Sequence, residues 1–222
     1  MMLEELMAGM LSRTGTNSPG EELPPVDWTA KWQESRDASS EALIRACGIP
    51  ARYDGIKLSE TIIAGHEAGM WAKLAEGTGL WLTGPAGTGK TTVAAAIARE
   101  AVRLGWSVRF ANAVDMYQSL RDSYNGTGEA KVMARYTAPR LLVIDDLGKG
   151  KPTAWVAEKL YSVVNSRWDS GVPTIVTTQY SEDELARSLT VDGDSNTAQA
   201  ILSRIVGSTV RIVFKGEDRR LA

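Results

Sequence analysis

The sequence has very few of the residues that hold metals and disulfides. Among 222 residues it has one cysteine, Cys47, and one histidine, His66. A single thiol cannot form an internal disulfide, and one thiol with one imidazole cannot complete a zinc site. These shortages exclude a disulfide scaffold and a Cys/His metal centre, and they favour a reducing compartment.

Long apolar runs and a strong net charge are also lacking. No run approaches the roughly 18 apolar residues of a membrane helix, and the first residues, "MMLEEL", are acidic where a secretory signal would be basic. We therefore expect a soluble, cytoplasmic protein with no membrane partner. The formal net charge is only -2, so any contact with DNA must be local.

The charge that is present is uneven along the chain. Residues 1–46 contain four of the 25 basic and eight of the 27 acidic residues, which leaves the remainder slightly basic. An apolar stripe at helical spacing in residues 3–11 precedes a linker rich in Gly, Ser and Pro, and a second helical stretch ends near Gly48 and Pro50. We divide the chain into a helical arm, residues 1–46, and a core, residues 47–222. The arm either folds back on the core or binds a partner.

The core alternates between strand and helix patterns. Strands are predicted at "GLWLTG", "SVRFANA", "RLLVIDDL", "PTIVTTQY" and "TVRIVFKG", with helical stretches between them. A Ser-to-Glu capping pattern opens the helix at "SEDELARSL". Such alternation predicts an α/β fold with a parallel five-stranded sheet flanked by helices.

The stretch "GPAGTGKTT" is the strongest motif in the chain. It matches G-x-x-x-x-G-K-[ST] at every fixed position, after a predicted strand and before a predicted helix, as a phosphate-binding P-loop requires. Backbone N–H groups and the helix N-terminus would surround the phosphates. Lys90 would reach the β and γ phosphates of ATP, and the Thr91 hydroxyl would ligate Mg²⁺. The nucleotide-binding residues are Gly84, Pro85, Ala86, Gly87, Thr88, Gly89, Lys90, Thr91 and Thr92.

Two carboxylates at the end of "LLVIDD" supply the second half of a nucleotide site. A buried strand that ends in acidic residues beside the P-loop strand is the usual partner of this motif. Asp145 is placed to hold Mg²⁺ through water, and Asp146 to orient or deprotonate the attacking water. Asp146 could instead be a turn or cap residue, since Asp is common at strand ends.

These motifs, with the following "DDLGKGKPTAWVAEKLYSVVNSRW", resemble the AAA+ ATPases of the DnaC/DnaI/IstB group. The resemblance starts at about "RACGIPARYDG" and covers roughly four-fifths of the chain, and "GIPARY" is similar to the stretch before the core of helicase loaders. It implies a P-loop NTPase that uses ATP and Mg²⁺. Only two residues follow Arg220, so the resemblance also implies that the C-terminal helical lid is missing or vestigial.

The resemblance assigns three further residues. Gln179, after Thr178, stands where the group usually has the Asn that senses the γ-phosphate, and both side chains can hydrogen-bond a phosphate or the lytic water. Arg204 in "AILSRIVG" resembles an arginine finger that completes a neighbouring subunit's site, and Arg220 in "GEDRR" resembles a second sensor. A helix cap, a solvated helix residue and a tail charge are the respective alternatives.

The group also carries a single-strand-binding insertion where this chain has residues 113–136. Arg121, Lys131 and Arg135 could follow phosphates there, and Tyr117, Tyr124 and Tyr136 could stack on bases. An ordinary helical hairpin with solvated charges is an equally good interpretation.

The resemblance predicts a helicase loader. Such a protein would bind ATP, self-associate through Arg204 around single-stranded DNA, and hold a hexameric replicative helicase through its arm. Alternatives are an IstB-like transposition helper acting on duplex DNA, a small-molecule P-loop kinase, and a nucleotide-gated scaffold that barely hydrolyses ATP. The kinase would need an acceptor pocket and an Arg-rich lid, for which the sequence shows no pattern.

Overall fold

The computed structural model describes residues 40–124 and 128–216. Five parallel strands form one sheet in the order β2-β3-β4-β1-β5. The strands are β1 (Gly79–Thr83), β2 (Val108–Asn112), β3 (Leu141–Asp145), β4 (Thr174–Thr178) and β5 (Thr209–Val213). Because all strands run in one direction, the loops after β1, β3 and β4 meet at the carboxyl edge of the sheet.

Helices connect successive strands and cover both faces of the sheet. They are α1 (Glu67–Ala75), α2 (Lys90–Arg103), α3 (Ala113–Asp122), α4 (Glu129–Thr137), α5 (Ala154–Asp169), α6 (Glu182–Leu189) and α7 (Asn196–Ser208). Residues 40–46 are also helical, and 3-10 turns occupy Ala51–Tyr53 and Leu58–Glu60.

Alternation along the central strands creates two cores. Trp81 of β1 packs with side chains of α3 to α7 on one face, while Leu80 and Leu82 pack with α1, α2 and residues 44–63 on the other. All five residues of β1 and all five of β3 are buried, as expected for parallel strands covered on both faces. The P-loop and the Asp145-Asp146 pair therefore follow two rigid strands.

The fold predicted from the sequence is confirmed: the sheet is parallel and five-stranded, and helices flank it. The capping pattern is confirmed as a full capping box between Ser181 and Glu184. Helix α1 was not predicted, because its short sequence shows no clear apolar period. No helix in the described ranges is long and apolar enough to cross a membrane.

Most of the arm, residues 1–39, lies outside the described residues, as do residues 125–127 and 217–222. Residues 40–46, which the sequence analysis assigns to the arm, pack with the core. Ile44 is fully buried among side chains of α2 and the sheet, and the Glu41 carboxylate accepts a 2.6 Å hydrogen bond from the buried guanidinium of Arg99 in α2. This short helix is thereby attached to the helix that follows the P-loop.

A second buried arginine, Arg167 in α5, joins the sheet to the segment after α4. Its side chain is 1% exposed. It donates to the Thr174 hydroxyl at 2.8 Å and to the carbonyls of Pro139 and Pro173 at 2.8 and 2.6 Å. Burial lowers the pKa of Arg167 to about 10, which leaves the group charged at neutral pH. Loss of this side chain would remove the donors that these carbonyls and the Thr174 hydroxyl now have in Arg167, and a buried acceptor left unpaired is costly.

We expect Arg167→Met to lower the free energy of unfolding by about 3 kcal/mol or more, because methionine fills the space but donates no hydrogen bond. The measurement is urea unfolding followed by circular dichroism. Arg103→Met is the matched control, since it removes exposed ion pairs of α2 that contribute about 1 kcal/mol or less. Equal losses in the two variants would show that the Arg167 hydrogen bonds do not stabilise the fold.

Candidate nucleotide site

The P-loop forms the turn between β1 and α2. Gly87 and Gly89 have φ angles of 72° and 95°, which side chains rarely adopt and which turn the neighbouring N–H groups towards one concave surface. Thr88 is buried, and its hydroxyl donates to the Pro85 carbonyl at 2.9 Å. The loop therefore has a defined conformation, with α2 starting directly at Lys90.

Lys90 lies inside the curve of this loop and is almost completely buried. Its ammonium group donates to the carbonyl oxygens of Gly84 at 2.7 Å and Pro85 at 2.6 Å. These contacts hold a positive charge within the cradle of backbone N–H groups. A triphosphate would meet the charge and the donors together, which is the recognition that the P-loop motif predicts.

Asp145 ends β3 and connects three elements of the site. It is 2% exposed, and its Oδ1 accepts hydrogen bonds from the hydroxyls of Thr91 at 2.8 Å and Thr177 at 2.7 Å. Burial raises the pKa of the Asp145 carboxyl, and the two hydroxyls partly oppose this shift. The arrangement brings the residue predicted to ligate Mg²⁺, Thr91, into contact with the acidic residue predicted to assist it.

These residues fit Mg²⁺ with ATP. A hydroxyl and a carboxylate oxygen 2.8 Å apart are hard oxygen donors of the kind that Mg²⁺ takes alongside phosphate oxygens and water. The P-loop supplies the complementary donors for the phosphates. When bound, Mg²⁺ would supply charge neutralisation at the β and γ phosphates.

Asp146 has an unusual backbone and an ion-pair partner. Its φ is 58°, a conformation that Asp tolerates better than most residues, and its N–H donates to the Thr177 hydroxyl at 2.9 Å. Its Oδ2 accepts a 2.7 Å hydrogen bond from Lys149 in the same loop. Each carboxylate oxygen has two lone pairs, so Asp146 can accept from a water while it is paired with Lys149.

Gln179 and the preceding Thr178 differ in their exposure to solvent. Thr178 pairs with Thr83 in the sheet, so Gln179 follows beside Gly84 at the start of the P-loop and is partly exposed. The Thr178 side chain is fully buried, and its hydroxyl donates to the Leu147 carbonyl at 2.7 Å. Gln179 remains the candidate.

Arg204 lies on α7 and is held against α5. Its Nε donates to the Asn165 side chain at 2.9 Å, and its guanidinium lies 4.4 Å from the ring centroid of Trp168. Trp168 is 45% exposed, so this pair reaches the protein surface. Arg220, the other predicted arginine of the site, lies outside the described residues.

The residues predicted to contact nucleic acid are only partly brought together. Arg121 of α3 and Lys131 and Arg135 of α4 are exposed, as phosphate contacts require. Base stacking on Tyr117 and Tyr136 is excluded, because these rings are 2% and 1% exposed and pack in the core. Their apolar rings complete the inner faces of α3 and α4. Tyr124 remains accessible, with its ring against Trp155.

The sequence of this chain matches a known protein family. The profile of the IstB-like ATP binding proteins matches residues 69–222, which include the P-loop, Asp145, Gln179 and Arg204. This chain belongs to that family. The family is named for ATP binding, and the geometry at Lys90, Thr91 and Asp145 is consistent with this property.

The relatives of this IstB-like chain are named either as replicative helicase loaders or as ATP-binding proteins of insertion sequences. The replicative helicase loader DnaI of Bacillus subtilis is 31% identical over 65% of this chain and 48% of its own length. An insertion sequence ATP-binding protein of Sinorhizobium fredii is 26% identical over 96% of this chain and 89% of its own length. A crystal structure of the DnaC helicase loader superposes with a TM-score of 0.62 at 22% identity, covering 75% of this chain and all of that one.

These matches establish the family and the fold. The chain spans about half the length of several curated relatives, from 48 to 56%. The activities and partners of those whole proteins therefore enter only as a proposal for this one. At 22% identity, the structural match shows the AAA+ P-loop fold alone.

Sequence reasoning missed two residues of this site. Thr177 contacts both acidic residues, and Lys149 pairs with Asp146. The repeated threonine in "TIVTTQY" was visible as the end of a strand, but the adjacency of β3 and β4 was needed to place Thr177 beside Asp145. Nothing in the local sequence signals the Lys149 contact.

We expect Thr91→Val to remove the Mg²⁺-dependent part of ATP affinity, a loss of roughly tenfold or more, because valine has no hydroxyl to offer the metal. Affinity measured in excess chelator should match wild type. Isothermal titration with and without Mg²⁺ makes the comparison, and Lys90→Ala should lose affinity in both conditions. An unchanged Mg²⁺ dependence would contradict the assignment of Thr91 to the metal.

Proposed function

We propose that this protein is an ATPase that loads a replicative helicase onto single-stranded DNA. The observation on which the ATPase rests is the contact of Thr91, Asp145 and Thr177 beside the P-loop. In this contact the oxygens that we expect to bind Mg²⁺ lie at the end of β3, next to Asp146. The DNA-loading role is supported by the similarity to the loader DnaI and by the exposed basic residues of α3 and α4.

The residues of the site divide the work as follows. The P-loop N–H groups and Lys90 would bind and neutralise the phosphates, while Thr91 and Asp145 would hold Mg²⁺. Asp146 orients a water for attack and takes its proton, and Gln179 hydrogen-bonds the water or the γ-phosphate. Free phosphate is the expected product, in contrast with a kinase, which would yield a phosphorylated acceptor.

Arg204 would connect one subunit to the next. Its position on α7 beside an exposed tryptophan suits a residue that leaves its contacts with Asn165 and Trp168 when a neighbouring copy binds. In that neighbour it would stabilise the charge that develops on the transferred phosphoryl group. ATP binding would thus favour self-association, and hydrolysis would weaken it.

A transposition helper is the second candidate, and one observation favours it. The insertion sequence relative aligns over 96% of this chain, including the arm, whereas the loader DnaI aligns over 65%. The two candidates share the nucleotide site and differ in partner and DNA. A loader acts on a helicase and single strands, while a helper acts with a transposase on duplex DNA. In either case we place the protein in the cytoplasm.

The deciding measurement is native mass spectrometry of the full chain mixed with the replicative helicase of its own source. We expect a complex with ATP that weakens with ADP and is absent for Lys90→Ala. Removing residues 1–37 should abolish it while leaving Glu41 and Ile44 in place to support the fold. Absence of any complex, with ATP-dependent assembly on duplex DNA, would favour the transposition helper.

The role of Arg204 is tested by mixing two inactive variants. We expect Arg204→Ala to bind ATP normally but hydrolyse it about tenfold more slowly or worse, and Lys90→Ala to be inactive because it does not bind ATP. Mixed together, they should regain part of the phosphate release, since Lys90→Ala subunits offer an intact Arg204 to neighbours. Wild-type turnover in Arg204→Ala alone would contradict the assignment.

A further inference from the structure

A cavity of about 420 Å³ lies beside the nucleotide site, at the edge of the sheet formed by β2. Its walls come from residues 48–52, from β2 and α3, from α4 and from the end of β3. Three arginines line it, Arg52, Arg109 and Arg135, together with the carboxylates of Asp115 and Asp145. No residue of the P-loop lines the cavity.

None of the three guanidinium groups forms an ion pair with another residue of the described ranges. Among the ion pairs between described residues, from Lys57–Glu60 to Lys159–Glu129, none includes Arg52, Arg109 or Arg135. Of the two carboxylates in the wall, Asp145 accepts two hydroxyl hydrogen bonds and interacts electrostatically with Arg52. The wall thus holds three guanidinium groups against two carboxylates. The cavity therefore has an excess of positive charge.

Arg109 shows most clearly that a positive charge of the cavity is unsatisfied. It projects from β2, its Nε is buried without a hydrogen-bond acceptor, and its guanidinium lies 5.9 Å from the ring centroid of Tyr136. A buried cationic nitrogen without an acceptor is costly, because it has lost water and gained no replacement. Such a group is satisfied when an anion binds beside it.

A glycine allows residues 48–52 to approach β2 closely at the cavity. Gly48 has a φ of 94°, and a Cβ at this position would lie 2.6 Å from the Phe110 carbonyl oxygen and 3.3 Å from a terminal nitrogen of Arg109. Only glycine allows the segment to lie this close to β2, where the Phe110 N–H donates to the Cys47 carbonyl at 2.8 Å. The close approach brings Arg52 to the same cavity as Arg109.

We propose that Arg52, Arg109 and Arg135 form a phosphate-binding pocket for the backbone of single-stranded DNA. Guanidinium groups match phosphate oxygens in bidentate geometry. A strand carries one phosphate on each successive nucleotide, so it offers several negative charges to a pocket with three positive ones, whereas a carboxylate offers one. The inference rests on the proposed function, because the strand is the one that a loader would hold.

The pocket also gives the strand a position relative to the nucleotide. Asp145 belongs to its wall and to the Mg²⁺-binding pair, and Asn112 of the wall pairs with Asp145 in the sheet. A phosphate held by Arg52 would thus lie on the far side of Asp145 from the P-loop. Arg121 and Lys131 do not line the cavity, which separates them from Arg135.

The test is fluorescence anisotropy of the full chain with labelled oligothymidylate, in ATP and Mg²⁺, at several salt concentrations. We expect Arg52→Gln, Arg109→Gln and Arg135→Gln each to weaken binding about tenfold. Each should also reduce the slope of log affinity against log salt by about 0.7, since one phosphate contact is lost. The matched control is Arg140→Gln, which removes an arginine stacked on Trp106 at the amino edge of the sheet and should change neither quantity.

Arg52 and Arg135 are exposed, so their variants test the pocket even if Arg109→Gln fails to fold, as thermal unfolding would show. Wild-type affinity and salt slope in the Arg52 and Arg135 variants would overturn the pocket while leaving DNA binding by the protein intact. Failure of the wild-type chain to bind any single strand would overturn the proposed function and the pocket with it.

A competition experiment distinguishes the phosphates of a DNA strand from free phosphate as the ligand of the pocket. Inorganic phosphate is added at constant ionic strength, with chloride as the reference. We expect no competition with the oligonucleotide beyond that of chloride, because one free ion cannot replace consecutive phosphates on a strand. Displacement of the strand from wild type, but not from the Arg52 and Arg135 variants, would assign the pocket to free phosphate and overturn the DNA proposal.

Discussion

The hydrogen bonds at the Asp145 carboxylate hold the site together. Taking a carboxylate out of water is costly unless polar partners replace the water. Here two threonine hydroxyls do so, one from the P-loop helix and one from β4. The contact therefore links α2, which begins at the P-loop, the end of β3 and strand β4, which come from three separate parts of the chain. A shift in any one of them would change the surroundings of Asp145.

The rest of the fold keeps these three strand ends in register. Central strands β1 and β3 are buried throughout, so they cannot slide without exposing one of the two cores. The buried guanidinium of Arg167 joins β4 to the segment before β3, and that of Arg99 joins α2 to Glu41 and Asp54. Residues 41 and 54 are thus attached to the helix that begins at the P-loop.

Charge has a different role on each side of Asp145. On the P-loop side, Lys90 and backbone donors are arranged for phosphate, and the Lys90 ammonium group donates to two carbonyls of the loop. On the β2 side, three arginines and two aspartates line the cavity, and none of these arginines forms an ion pair with another described residue. A polyanion bound there would be separated from the triphosphate by one acidic side chain. If the phosphate pocket holds a DNA strand, the strand and the nucleotide would influence each other through Asp145, without a long conformational pathway.

The sequence by itself determined the parallel sheet, the P-loop with Lys90 and Thr91, and the acidic pair at the end of β3. Each of these depends on residues within one short stretch, where spacing alone specifies the geometry. Only the tertiary structure decided that Thr177 contacts Asp145, that Lys149 pairs with Asp146, that Tyr117 and Tyr136 are core residues, and that Arg52 shares a cavity with Arg109 and Arg135. Most of these facts depend on strand order and on which helix face meets the sheet, and even the short-range Lys149 pair depends on the rare backbone conformation at Asp146. Contacts between distant residues are set by packing of the whole chain, which local patterns do not specify.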